Sequence, residues 1–98
     1  MRIVTFKKIK EFSEQYSDAE SALSNWYYTV KSKEWNSIND IRSDYNSVDY
    51  VGNNRFVFNI KGNLYRLIVI ISFPAKKVYI RFIGTHSEYD KIKNIKNI

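Results

Sequence analysis

Along the first half of the chain, apolar residues recur every three or four positions, the spacing of a buried helix face. Along the second half they alternate or run together as strands do. Arg2 to Val4 reads as a short strand. Thr5 is placed to cap a helix in which Phe6, Ile9, Phe12 and Tyr16 share one side. Ser17-Asp18-Ala19-Glu20 has the form of a capping box, and the helix it opens aligns Ala19, Ala22, Leu23, Trp26 and Val30. Ser37 to Asp40 is a weaker start signal for a short helix ending near Asp44. From Val48 the pattern becomes stranded, with Phe56 to Ile60 as one run. Gly62-Asn63 predicts a two-residue hairpin turn. Leu64 to Phe73 and Val78 to Ile83 are two further strands joined by Pro74-Ala75-Lys76-Lys77. A final basic helix is expected from about Ser87. The aromatic and aliphatic stripes are read as core.

Register then decides which polar groups share a face, because side chains alternate across a sheet. A turn at Gly62-Asn63 sets Asn59 opposite Arg66 and Val57 opposite Ile68. The other face receives Phe56, Phe58, Ile60, Tyr65, Leu67, Val69 and Ile71, and should carry the helices. Placing Val78, Ile80 and Phe82 on that helix side asks for a four-residue loop with Phe73 opposite Val78. Arg81 then falls opposite Ile70, and Thr85 opposite Arg66. Asn59, Lys61, Arg66, Arg81 and Thr85 are thereby expected on one open face. A one-residue slip would bury Arg81 among apolar residues, at a cost of several kcal/mol for an unpaired charge. Arg66 and Arg81 would start about 13 Å apart, four residues at about 3.4 Å each.

Composition narrows the chemistry. The 98 residues fit one domain, 1–98, and 44% hydrophobic with 16% aromatic content supports a folded core. The absence of cysteine removes disulfide scaffolds, thiolate zinc sites and thiol catalysis, and a single histidine removes a multi-histidine metal site. The expectation is no metal and no cofactor. Met1 to Lys10 lacks the form of a signal peptide, and the longest apolar stretch, Leu67 to Ile71, is far too short to span a bilayer. A soluble cytoplasmic protein without membrane contact is expected. Residues 1–49 carry seven Lys/Arg against eight Asp/Glu, whereas residues 50–98 carry nine against two. A basic half on a near-neutral chain points to a polyanion, with a merely solubilising surface as the alternative.

An open face with Arg66, Arg81, Lys61 and Asn59, near His86 and Tyr89, suits phosphate. Arginine offers a planar fork and lysine a point charge. RNA brings its own nucleophile, the 2′-hydroxyl, so a protein that cuts it needs a proton acceptor, a stabiliser of developing charge and a proton donor. Histidine is the ready acid or base near neutrality, and His86 is the only one. Tyr89 and Lys61 are further candidates in a suitable environment. Each has a structural alternative: His86 as a hydrogen-bonding residue at a strand end, Tyr89 as packing, and Arg66 or Arg81 as partners of Asp90, Glu88 or Asp49. Tyr79 and Tyr50 are candidates for stacking on bases.

Val57-Phe58-Asn59-Ile60-Lys61-Gly62-Asn63-Leu64-Tyr65-Arg66-Leu67 and Ile80-Arg81-Phe82-Ile83-Gly84-Thr85-His86-Ser87-Glu88-Tyr89-Asp90-Lys91, in that order and spacing, resemble the HigB family of mRNA interferase toxins within the RelE-like group. Asp18-Ala19-Glu20, Trp26-Tyr27 and Trp35 fit the same pattern, so the likeness spans essentially the whole chain. It implies a RelE-like α+β fold: N-terminal helices on one face of a mostly antiparallel sheet, with a short C-terminal helix. It implies mRNA cleavage in the ribosomal A site, inhibition by a HigA-like helix-turn-helix antitoxin, and DNA contact only through that complex. The group has no single invariant triad, so only roles transfer. They land on Arg66, Arg81, His86, Tyr89 and Lys61 as catalytic residues, and on Asn59, Thr85, Lys91 and Tyr79 as RNA-binding residues. The dense lysine pair of well-known RelE-type sites is missing, and Lys61 stands alone in its hairpin. The expected reaction is 2′-hydroxyl attack on the adjacent phosphate. The rivals are a domain of the same fold that occupies the A site without cutting, and an interaction protein whose basic face serves only an acidic partner.

Overall fold

Alternation along Phe56–Ile60 and Tyr65–Ile71 gives each of these strands one continuous apolar side, and that side organises the molecule. In the computed structural model, which describes residues 1–98, the elements follow in the order β1 (Arg2–Val4), α1 (Phe6–Gln15), a 3₁₀ turn (Ser17–Ala19), α2 (Glu20–Lys31) and α3 (Ile38–Asp44). After these come β2 (Asp49–Gly52), β3 (Arg55–Ile60), β4 (Tyr65–Ser72), β5 (Lys77–Thr85), α4 (His86–Asp90) and a second 3₁₀ turn (Ile95–Asn97). The strands form one sheet in the order β1-β5-β4-β3-β2, antiparallel except for the parallel β1–β5 pair. This is the expected α+β architecture.

The three N-terminal helices cover one face. Ile9 and Phe12 of α1, Leu23, Trp26 and Val30 of α2, Trp35 and Ile41 pack against Phe56, Phe58, Ile60, Tyr65, Leu67, Val69, Ile71, Val78 and Ile80. Phe58 lies at the centre, edge-on to Trp26 at 5.5 Å and to Tyr45 at 5.2 Å between ring centres. Each fully buried aliphatic or aromatic side chain here contributes about 1.5–3 kcal/mol.

The helices start where expected, but their N-termini lack the expected side-chain caps. Thr5 takes the left-handed conformation, φ 80°, in turning the chain from β1 into α1, and its hydroxyl caps nothing. The Ser17 capping box does not form either. The chain makes a 3₁₀ turn there, and Asp18 is drawn instead to a residue of β4. At α3, the Asn36 N–H donates to the Asp40 carboxylate at 2.8 Å, and the Ser37 hydroxyl is not used.

The β3–β4 register is as expected, with Asn59 opposite Arg66 and Val57 opposite Ile68. The turn is wider than two residues: Ile60 and Tyr65 are the last pair, and Lys61 and Gly62 take the left-handed conformation. Both loops are centred between Gly62 and Asn63, so the register is the same. The β4–β5 register departs from expectation. The loop is residues 73–76, closed by left-handed Lys76, and Ile71 rather than Phe73 faces Val78. This two-residue difference preserves the inward side of Val78 and Ile80. A bulge then follows: Ile80 pairs with Val69 but Phe82 with Ile68, and Arg81 is the extra, unpaired residue. Beyond it the alternation is reversed. Ile83 turns inward opposite Leu67, Gly84 faces Arg66, and Thr85 faces Tyr65.

Candidate active site

The face of the sheet away from the three helices carries Asn59, Arg66 and Asp49, the last opposite Val57. It was expected to lie open, and it does not. Val57 and Ile68, paired at its centre, are 2% and 0% exposed, yet they belong to no part of the helix-side core. The C-terminal segment covers them. α4 packs on β5 and β4, and the Ile95–Asn97 turn reaches β2 at the opposite edge. Two side chains fasten this segment: Asn53 Nδ2 donates to the Lys96 carbonyl at 3.0 Å, and Arg55 Nη2 to that of Ile98 at 2.7 Å. Ile92, Ile95 and Ile98 recur every third residue and are half-buried, an apolar stripe matched to the apolar strip they cross. The basic helix expected from about Ser87 is therefore one short helix followed by an irregular strap.

Arg66 lies where α4 meets this face. Its Nη1 donates to the carbonyls of Asn63 at 3.1 Å and Tyr65 at 3.4 Å, and the guanidinium sits 5.7 Å above the Tyr89 ring. None of Asp49, Glu88 and Asp90 forms an ion pair with it: Glu88 caps α4, and Asp90 pairs with His86. The arginine's charge thus remains available to an anion. Burial raises the Tyr89 phenol above its ordinary value. Asp49 and Asp90 add to this, and Arg66 opposes it. The phenol keeps its proton at neutrality and can give it to a strong base.

α4 owes its position to Thr85. The threonine hydroxyl accepts from the Glu88 N–H at 3.1 Å while the Glu88 carboxylate accepts from the Thr85 N–H at 2.8 Å. The Thr-x-x-Glu spacing is the local sequence signal for this capping box. Thr85 itself lies opposite Tyr65 rather than opposite Arg66, the position expected for it. The side chain is committed to the helix it starts. One turn on, His86 Nδ1 is 2.9 Å from Asp90 Oδ2. With the carboxylate accepting from Nδ1–H, Nε2 is left with a lone pair directed away from Asp90.

The remaining candidates are spread out. Lys61 Nζ is 3.4 Å from Asp18 Oδ2, so its ammonium turns toward the helix layer, where Tyr65 Oη donates to Asp18 Oδ1 at 2.5 Å. Asp18 is 47 residues from Tyr65 in sequence, and no local signal joins them. Asn59 is half-buried opposite Arg66, Tyr79 half-buried opposite Ile70, and Lys91 exposed at the end of α4. Arg81 does not face Ile70. The bulge sets it on the outer edge of β5, beside Lys8, Glu11, Phe12 and Gln15 of α1. The physical reason is the one anticipated for register: an unpaired charge is kept out of the core, here by an inserted residue rather than by loop length. The structure therefore brings Arg66, Tyr89, His86 and Asn59 to one end of the sheet face and leaves Lys61 and Arg81 outside. No helix is long and apolar enough to cross a membrane, and no group of three or more His, Asp or Glu side chains is arranged to hold a metal ion.

Residues 19–92 match the model of the HigB toxin family, described as the RelE-like toxic component of a toxin–antitoxin system. The chain is 29% identical over 93 residues to the mRNA interferase toxin HigB of Escherichia coli K12, covering 92% of this chain and 88% of that relative. It is 29% identical over the same length to the mRNA interferase HigB of Shigella flexneri. To the mRNA interferase HigB of Escherichia coli O6:H1 it is 27% identical over 94 residues, covering 94% and 91%.

Proposed function

The chain belongs to the HigB family of RelE-like toxins, and on that footing we propose that it cleaves mRNA in the ribosomal A site by side-chain chemistry centred on Arg66 and α4. The observation that carries the reading is the meeting of Arg66 with Tyr89 on α4, the short helix that also holds the His86–Asp90 pair. His86 Nε2 accepts the proton of the 2′-hydroxyl, with Asp90 holding the ring. The 2′-oxygen attacks the adjacent phosphorus, and Arg66 stabilises the charge gathering on the phosphoryl oxygens. Tyr89 gives its proton to the departing 5′-oxygen, leaving a 2′,3′-cyclic phosphate. Asn59, beside Arg66, helps to hold the strand. Lys61, tied to Asp18, stiffens the hairpin from which Arg66 hangs. So few acid–base groups make a modest catalyst, and the ribosome supplies the remainder by fixing the mRNA in a reactive conformation. Residues 1–98 act as one domain in the cytoplasm, silenced by a HigA-like helix-turn-helix antitoxin through which alone DNA is contacted.

Primer extension on mRNA from expressing cells tests this directly. The wild type should create new 5′ ends. Arg66→Ala should reduce them by about 100-fold or more, the scale of losing one charge-stabilising donor, and Tyr89→Phe and His86→Ala should each lower the rate while the fold persists. Growth arrest without new 5′ ends would make the chain an A-site blocker instead.

A further inference from the structure

We propose that the outer edge of β5 holds a second site for the RNA backbone, in which Arg81 and Lys8 grip phosphate and the Phe82 ring gives a flat wall to a base. It rests on the reading of the chain as an RNA-cutting toxin and adds where the strand runs on leaving the Arg66 centre.

β1 pairs only with Lys77–Tyr79, so beyond Tyr79 the outer edge of β5 has no strand beside it. The bulge lies in this uncovered stretch. Between it and α1 is a depression of about 310 Å³ bordered by Lys8, Glu11, Phe12, Arg81, Phe82 and Ile83. Bulges re-aim side chains, often beside functional sites. Here the re-aimed residue is an arginine, exposed and in no ion pair. The guanidiniums of Arg55 and Arg66, in contrast, donate to backbone carbonyls. An unengaged planar fork with a lysine across the depression fits a phosphodiester. The carboxylate in the lining, Glu11, is 3.7 Å from Lys7 on the preceding turn of α1, which offsets its charge.

Phe82 joins this depression to the proposed centre. Its ring lies over Gly84, where a Cβ would come within 2.4 Å of the ring Cζ, and Gly84 is the residue opposite Arg66. One edge of the ring therefore borders the Arg66 face and another the depression. Arg81 and Gly84 are three residues apart on β5, about 10 Å. A strand passing Arg66 and continuing over Phe82 meets Arg81 next. An acidic protein would use the two cations and leave the ring idle. An aromatic surface between cations suits single-stranded nucleic acid.

The test measures affinity for bacterial ribosomes programmed with an mRNA whose A-site codon carries 2′-deoxyriboses, which cannot be cut, across a salt series. Arg81→Ala and Lys8→Ala should each weaken binding several-fold and flatten the plot of log affinity against log salt by about 0.7 per lost phosphate contact. Glu11→Gln should tighten binding. Lys10→Ala, on the same helix but outside the depression, should leave the slope nearly unchanged. The Arg81→Ala/Lys8→Ala double variant should lose both contributions to that slope, about 1.4 in all. A wild-type salt slope in the double variant overturns the site, as does unchanged ribosome affinity with lost affinity for the cognate antitoxin. Failure of the wild type to cut natural mRNA would count against the catalytic reading alone, since the binding slopes still judge Arg81 and Lys8.

Discussion

Tyr65 shows how one residue joins the two halves of the chain. Its ring is part of the helix-side core, edge-on to Phe12 at 5.4 Å, and its hydroxyl reaches Asp18 in the turn before α2. The bond from Tyr65 holds the Asp18 carboxyl below its ordinary 3.8, against some desolvation and with help from Lys61. The same bond, with burial, pushes the Tyr65 phenol up to about 12. The two groups act on stability at opposite ends of the pH scale. A lowered carboxyl favours the fold above pH 3.8 and loses that effect as pH falls through its folded value. A raised phenol favours the fold below its ordinary value of 10 and loses that effect as pH climbs from 10 to about 12. In an alkaline titration followed by tyrosinate absorbance, one of the eight tyrosines should ionise last, near 12. Asp18→Asn should bring that step back toward 10. Superimposable curves for the two proteins would mean that the bond is absent in solution.

Among the elements, α4 is the one on which the proposed chemistry depends and the one least able to stand alone. Five residues cannot sustain a helix in water. It persists because of the capping box of Thr85 and Glu88 and its packing on β4 and β5. Thr85→Ala should cost about 1 kcal/mol. The loss should show as faster amide exchange at the start of α4 before any change in the sheet, accompanied by a fall in cleavage, because His86 and Tyr89 lose their common support. Equal protection of these amides in both proteins would show that packing alone holds the helix. The contrast with the other helices is physical. α1, α2 and α3 have apolar faces buried on the sheet and keep their starts without side-chain caps. At Ser17, a tertiary bond at Asp18 outweighed the local capping pattern.

At the scale of the whole molecule, the sheet carries a core on each face. The larger lies under α1–α3; the smaller, around Val57 and Ile68, lies under the C-terminal strap that runs from β5 to β2. Deleting residues 92–98 should uncover both side chains and free Arg55 and Asn53. With about 1.5–3 kcal/mol for each buried side chain, the expected loss is roughly 3 kcal/mol or more, measured as a drop in the urea midpoint. An unchanged midpoint would show that the strap contributes nothing to the fold.

From the sequence, the division into helices and strands, the face of β3 and β4 that meets the helices, and the pairing of Asn59 with Arg66 were all legible, because each follows from periodicity and a symmetric turn within a few neighbouring residues. The family resemblance was legible too, carried by the runs Val57–Leu67 and Ile80–Lys91. Where Arg81 points, what covers Val57 and Ile68, and which partner Asp18 takes were decided only in three dimensions. A bulge reverses alternation without leaving a mark on apolar spacing, and a strap or a 47-residue hydrogen bond depends on contacts between segments that local pattern does not relate.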